Sequence, residues 1–197
     1  MREVELKSVS TAPEAVEAAL VAAGATLDFA GRLSDRRYDT DDRSLTLHDL
    51  VLRLRVYGEG RSVRAHLEFK GPTEYHDGYK VREEIGTTVG DPDSLMRMLH
   101  RLGYGVTREI DRRITQFLLR GAMVRIERFP RMDTLVEVEG TPETIEGAIA
   151  LTGLAREGFT TERLPDFVRR FEARTGERAA ICDRELAGDY RYGAADA

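Results

Sequence analysis

The sequence predicts an α+β domain of antiparallel strands and helices, and three observations carry that reading. Eight segments between residues 2 and 140 read as strands, several of them alternating apolar and polar side chains at period two, as strands with one covered face do. Four others repeat apolar residues at helical spacing between Pro, Ser or Thr start signals and Gly stops. A chain of 197 residues, 41% hydrophobic and 33% charged, supplies one substantial core. A single domain is therefore expected over 1–180, followed by a partly disordered polar tail over 181–197.

The first strand is expected over Arg2–Lys7, where Val4 and Leu6 alternate with Glu3, Glu5 and Lys7. Residues 13–24, PEAVEAALVAAG, read as a helix with Pro13 in its first turn and Gly24 as its stop. A strand from Leu27 to Tyr38 ends in the turn-like Asp39-Thr40-Asp41-Asp42. Val51–Tyr57 and Ser62–Lys70 form a hairpin across Gly58-Glu59-Gly60. In its first arm Leu52, Leu54 and Val56 oppose Arg53 and Arg55; in its second Leu67 and Phe69 oppose His66, Glu68 and Lys70. After Gly71-Pro72, the strand Tyr79–Val89 carries Lys80, Arg82 and Glu84 on one face. A helix opens at Asp91-Pro92 and ends at Gly103, with Leu95, Met98, Leu99 and Leu102 as its packing stripe. Strands Thr107–Leu119 and Ala122–Phe129 meet at Arg120-Gly121, and Thr134–Gly140 is the last strand. Helices from Thr141-Pro142 to Gly153 and from Leu164 to Thr175 follow.

Several function classes are excluded by composition. No run of 18 apolar residues occurs and the N-terminus opens with charges, so a cytoplasmic protein without a membrane partner is expected. Acids outnumber Lys and Arg by 35 to 30, so the global basic field that nucleic acid requires is absent. Cys182 is the single cysteine and can close neither an internal disulfide nor a thiolate zinc site. His48, His66, His76 and His100 are scattered without metal-ligand spacing. Only three of the 30 cationic residues are lysines, Lys7, Lys70 and Lys80, and all three fall in strands.

The charged strand faces admit two architectures. An open antiparallel sheet buries its apolar face under the helices and wets the charged one. A barrel instead turns the apolar face outward under the helices and encloses the charges in a tunnel. In a tunnel the acids Glu3, Glu5, Glu84, Glu127, Glu137 and Glu139 repel one another unless a cation intervenes. All-carboxylate ligands select a hard cation such as Mg²⁺ or Mn²⁺. The bases Lys7, Arg53, Arg55, Lys70, Lys80 and Arg82 form a cradle for a polyanion. No P-loop motif accompanies them.

Glu3-Val4-Glu5-Leu6-Lys7 resembles the ExExK signature of the CYTH superfamily, the triphosphate tunnel metalloenzymes, which include class IV adenylate cyclases, thiamine triphosphatases and tripolyphosphatases. The order of later segments strengthens the resemblance. Leu52-Arg53-Leu54-Arg55 is similar to the family's LRxR, Leu67-Glu68-Phe69-Lys70-Gly71-Pro72 to its LTxKGP and Arg82-Glu83-Glu84 to its R-x-E. Glu127 stands where the family carries Asp, and Glu137-Val138-Glu139 resembles its closing ExE. The resemblance spans roughly 1–175.

It implies an eight-stranded antiparallel β-barrel, a tunnel, with helices packed on the outside. It further implies that Glu3, Glu5, Glu127, Glu137 and Glu139 hold Mg²⁺ or Mn²⁺, and that Lys7, Arg53, Arg55, Lys70, Lys80, Arg82 and Arg125 bind phosphates. Glu84 is a further acid of the tunnel. The family's K-x-R pair falls on Arg112 and Ile114, so its second cation requires Arg113 to be rotated in by a bulge. Arg36 stands near an acid of the cyclase-like members. The implied reaction is metal-dependent attack on a triphosphate, whether tripolyphosphate, ATP or thiamine triphosphate. Catalytic roles fall to Lys7, Lys70 and Glu84, with Lys7 or Lys70 depressed in pKa by neighbouring cations so as to assist proton transfer. Hydrolysis is the leading outcome, a class IV-type cyclase yielding cyclic AMP and pyrophosphate the alternative, and a non-catalytic binding module the third. A homodimer is the assembly to test.

Overall fold

The alternating segments become strands that close on themselves. The computed structural model describes residues 2–60 and 62–190, without the side chains of Arg2 and Glu3. Its strands are β1 (Arg2–Ser10), β2 (Thr26–Asp39), β3 (Val51–Glu59), β4 (Ser62–Lys70), β5 (Glu74–His76), β6 (Tyr79–Val89), β7 (Gly105–Leu119), β8 (Ala122–Arg128) and β9 (Thr134–Glu139). They run β1-β9-β8-β7-β2-β3-β4-β6-β5, every pairing is antiparallel, and a further β1–β6 pairing closes the ring. Eight strands thus form a barrel, and the three-residue β5 is an appendage on β6.

Strand β1 closes the ring because it is long enough to serve two partners. Glu5–Ser10 pair with Glu139–Thr134 of β9, while Arg2–Glu5 pair with Glu83–Lys80 of β6. Closure removes the sheet edges and commits each strand face to the inside or the outside.

Helices α1 (Pro13–Ala22), α2 (Ser44–Leu47), α3 (Pro92–Arg101), α4 (Pro142–Thr152), α5 (Leu164–Thr175) and α6 (Asp183–Ala187) lie outside, with a short 3-10 helix at Arg156–Gly158. Outward Leu6, Val124, Ile126, Val136 and Val138 pack under Val16 and Leu20 of α1 and Ile145 and Ile149 of α4. On another side Tyr38, Leu54 and Ala65 pack with Leu99 of α3. Each such burial contributes about 1.5–3 kcal/mol, so the apolar core is the layer between barrel and helices. Among the described residues no helix is long and apolar enough to cross a membrane.

Local chemistry sets the element ends. Asp91 accepts the Ser94 N–H at 2.9 Å at the start of α3, and Thr141 and Thr144 form a reciprocal cap on α4. At the β7–β8 hairpin Arg120 and Gly121 have φ of 50° and 85°, the double positive φ that a tight two-residue hairpin turn requires. Helix α2 and strand β5 are additions to the expected elements. The Asp39 carboxylate organises α2 by accepting the backbone N–H groups of Leu45 and Thr46, both at 2.9 Å.

The boundary expected at residue 180 falls inside packed structure. Ala180 and Arg131 exchange backbone hydrogen bonds, and the Asp111 N–H donates to the Ile181 carbonyl at 2.8 Å. Ile181 and Cys182 are buried, and Arg184 of α6 meets Glu109 at 2.7 Å. Residues 181–190 therefore dock on the outer face of β7; positions 191–197 of the expected tail lie outside the described residues.

Candidate active site

Inside the barrel, inward side chains surround a cavity of about 180 Å³. One end reaches the N-terminus of α5, where the half-exposed Arg163 and partly exposed Asp49 pair at 3.2 Å. Toward the other end, the inward faces of β2, β3 and β7 change from charged to apolar. There Phe29, Leu33 and Ile114 pack with Tyr57, and Phe29 and Tyr57 meet edge to face at 5.2 Å. Gly31 permits this packing, since a Cβ on it would lie 2.3 Å from the Gly58 carbonyl oxygen.

The basic wall is organised by one carboxylate. Asp35 is fully buried and meets Arg55 at 3.0 Å, Arg112 at 3.1 Å and Arg53 at 3.5 Å. Burial raises its pKa, but the three guanidiniums outweigh that and hold it well below the usual carboxylate range. Arg53 also grips Glu68, and Arg112 donates to Glu127 at 2.6 Å. Arg82 is held by the backbone carbonyls of Gly71 and Asp49, which leaves the chain's own oxygens anchoring a cation at the cavity wall. These contacts fix long side chains before an anion arrives, so less ordering remains for binding.

The acidic wall lies on β1 and β9. Lys7 sits between Glu5 at 2.5 Å and Glu137 at 2.8 Å; Lys80 pairs with Glu5, and Arg125 with Glu137 at 2.7 Å. Burial raises the pKa of both carboxyls, but Lys7 and Lys80 hold Glu5 well below the usual range, and Lys7 and Arg125 pull Glu137 down to about 2. Lys7 itself moves opposite to the expected depression: burial lowers it, but Glu137 and Glu5 outweigh burial and raise it. Its ammonium is a held charge, and the neighbours that raise its pKa are two carboxylates, Glu137 across the β1–β9 pair and Glu5 on β1 itself.

The donor set on this wall fits a hard divalent cation. Among the described residues the cavity is lined by carboxylates with no histidine or cysteine, and Glu5 and Glu137 already bracket a cationic nitrogen. Glu139 faces Glu5 across the β1–β9 pair and is partly buried; the Glu3 side chain lies outside the described residues. The one group of three metal-capable side chains among the described residues lies elsewhere. Glu109, Asp111 and Cys182 approach within 4.8 Å on the outer face of β7, where Arg36, Arg32 and Arg184 pair with the two acids. Burial pushes the Cys182 thiol up to about 11, which keeps it protonated and inert.

Of the residues read from the sequence, Glu5, Lys7, Arg53, Arg55, Lys70, Lys80, Arg82, Arg112, Arg125, Glu127 and Glu137 line the cavity together. Glu84 does not line it; partly exposed, it meets Lys70 at 3.4 Å. Arg113 is exposed on the outer face, because β7 runs through 112–114 without a register shift and Arg112 alone turns inward. Sequence reasoning missed Asp35, Arg37, Arg108 and Arg163. Along β2 the inward face runs from Leu33 to Asp35 and Arg37 without a uniform apolar or polar character, so period two gave no signal there.

Solved structures share this architecture at low sequence identity. The PH1819 protein of Pyrococcus horikoshii is 19% identical with a TM-score of 0.70, covering 85% of this chain and 98% of its own. A candidate adenylate cyclase of Vibrio parahaemolyticus is 19% identical at TM-score 0.73, with 85% and 97% covered. The candidate adenylyl cyclase HpAC1 of Hippeastrum, described with a dominant triphosphatase activity, is 15% identical at TM-score 0.59, with 91% and 98% covered. No curated protein sequence matches the chain. The motif order of the strands, the closed barrel and the CYTH domain model, which matches residues 1–143, agree: the chain belongs to the CYTH family.

Proposed function

We propose that the protein is a metal-dependent triphosphatase that hydrolyses tripolyphosphate or an organic triphosphate within the barrel. The observation that carries this reading is the pairing of two walls in one cavity: Arg53, Arg55, Lys70, Arg82 and Arg112 face a carboxylate wall built on Glu5 and Glu137. Guanidiniums match phosphate oxygens bidentately, and several in one cavity neutralise charge that develops on a leaving phosphate. Asp35 positions three of them by its own ion pairs. Lys7, its proton held by Glu5 and Glu137, presents fixed positive charge at the junction of the walls. Mg²⁺ or Mn²⁺, held by Glu5 and Glu137 with Glu3 and Glu139, supplies when bound Lewis-acid polarisation of a phosphoryl oxygen and an activated water.

The names of two structural relatives bring a second reading, class IV-type adenylate cyclisation, in which the ribose 3′-hydroxyl of ATP replaces water. Both readings use the same two walls, and products separate them. Incubation with tripolyphosphate and with ATP, in Mg²⁺ and in Mn²⁺, is followed by phosphorus NMR. Orthophosphate from tripolyphosphate, lost in Glu137→Gln, is the expected result. Cyclic AMP with pyrophosphate from ATP makes it a cyclase. No product in either metal, with the parent and Glu137→Gln alike, overturns the enzymatic reading and leaves a binding module.

A further inference from the structure

One cation of the cavity wall, Arg37, keeps an unpartnered nitrogen among the described residues. Arg37 lines the cavity from β2, two residues beyond Asp35 and away from the apolar end at Phe29 and Leu33, with Arg82 among its electrostatic neighbours. Asp35 is already shared among Arg53, Arg55 and Arg112. The Arg37 Nε is buried and has no hydrogen-bond partner among the described residues. Its electrostatic neighbours are mainly cationic: burial, with Arg53, Arg82 and Arg112, pulls the guanidinium down to about 10 against the attraction of Asp35. A partly buried guanidinium among guanidiniums, with its Nε buried and unpartnered, costs folding free energy, and a polyanion entering the cavity offsets that cost.

We propose that Arg37 is a substrate-binding and specificity-determining residue, receiving a phosphate oxygen of the triphosphate between the Arg53/Arg112 cradle and the solvent-facing end of the barrel. This rests on the triphosphate reading above. Arg37 then favours a triphosphate over a diphosphate, because only the longer anion reaches past the Asp35-anchored guanidiniums. The residue resists folding until the ligand arrives, so its removal has opposite effects on the free and the liganded protein. A residue with a merely structural role does not behave this way.

The parent, Arg37→Met, Arg37→Gln and Arg37→Lys are compared in chelator-containing buffer, so that anion binding is read without turnover. Thermal unfolding is recorded with and without tripolyphosphate, and Kd is measured by calorimetry for tripolyphosphate and pyrophosphate. Met or Gln is expected to raise the melting temperature of the free protein and to weaken tripolyphosphate about tenfold, one lost charge-assisted contact. Pyrophosphate is expected to weaken by less than about threefold, and Lys to restore most of the tripolyphosphate affinity. A lower melting temperature of the free Met and Gln variants with unchanged Kd overturns the proposal and makes Arg37 structural. Equal loss for both anions overturns the specificity claim. If the parent itself binds neither anion, the triphosphate reading fails and the proposal falls with it, an outcome distinct from a parent that binds and variants that bind alike.

Discussion

Asp35 shows how one carboxylate sets the character of a whole wall. With three guanidiniums within 3.5 Å and no exposure, its loss leaves buried cations facing one another. Asp35→Asn is therefore expected to destabilise the protein by about 3–5 kcal/mol, measured by urea unfolding. Glu137 makes a second prediction, in pH. Its pKa is depressed from an ordinary 4.5 to about 2, so its stabilising contribution is fully present above 4.5 and is lost as pH falls toward about 2. Glu5 shifts in the same direction. The urea midpoint of the parent is expected to fall across that window, and Glu137→Gln to flatten the fall; an equally steep decline in the variant contradicts this account of the acidic wall.

Strand alternation decides which of two adjacent arginines matters. Arg112 turns inward to Asp35 and Glu127, whereas Arg113 stands exposed on the far side of the same strand. Arg112→Gln is expected to lower kcat/KM for tripolyphosphate by at least about 100-fold, the usual scale for removing a donor aimed at developing charge. Arg113→Gln is expected to change it by less than about twofold. The sequence left this pair open, since a bulge at 113 reverses the answer, and only the uninterrupted β2–β7 and β7–β8 registers around these positions settle it. Strand β2 is the complementary case. Its inward face begins with Phe29, Gly31 and Leu33 and continues as Asp35 and Arg37, so the period-two rule finds neither an apolar nor a polar face and passes over two residues of the basic wall.

Barrel and helices share strands, because each strand has its inner face in the cavity and its outer face in the apolar layer. Neither layer can be lost while the other stays ordered, so a single cooperative unfolding transition is expected. Cys182 reports on it. Fully buried where the C-terminal segment docks on β7, with its thiol pushed up to about 11, it is shielded until the barrel opens. Labelling of Cys182 by a thiol reagent in urea is expected to track the unfolded fraction read by circular dichroism, and labelling well below that transition indicates separate release of residues 181–190.

The strands, several of their charged faces and most of the charged residues that line the cavity were legible in the sequence. Alternation at period two is a local property, and Glu5, Lys7, Arg53, Arg55, Glu127 and Glu137 each announce themselves beside an apolar neighbour. The docking of Ala180–Cys182 was not legible, because four apolar residues at 179–182 form too short a run to show any period. Nor was the partner of each charge. Lys7 stands two residues from Glu5 along the chain, yet the other carboxylate that raises its pKa, Glu137, is 130 residues away and is brought within hydrogen-bond distance by the β1–β9 register. Which faces are charged follows from residue order alone. Whether those faces look into water or at one another depends on ring closure through β1, a long-range pairing in which electrostatics act across space between residues that the chain keeps far apart.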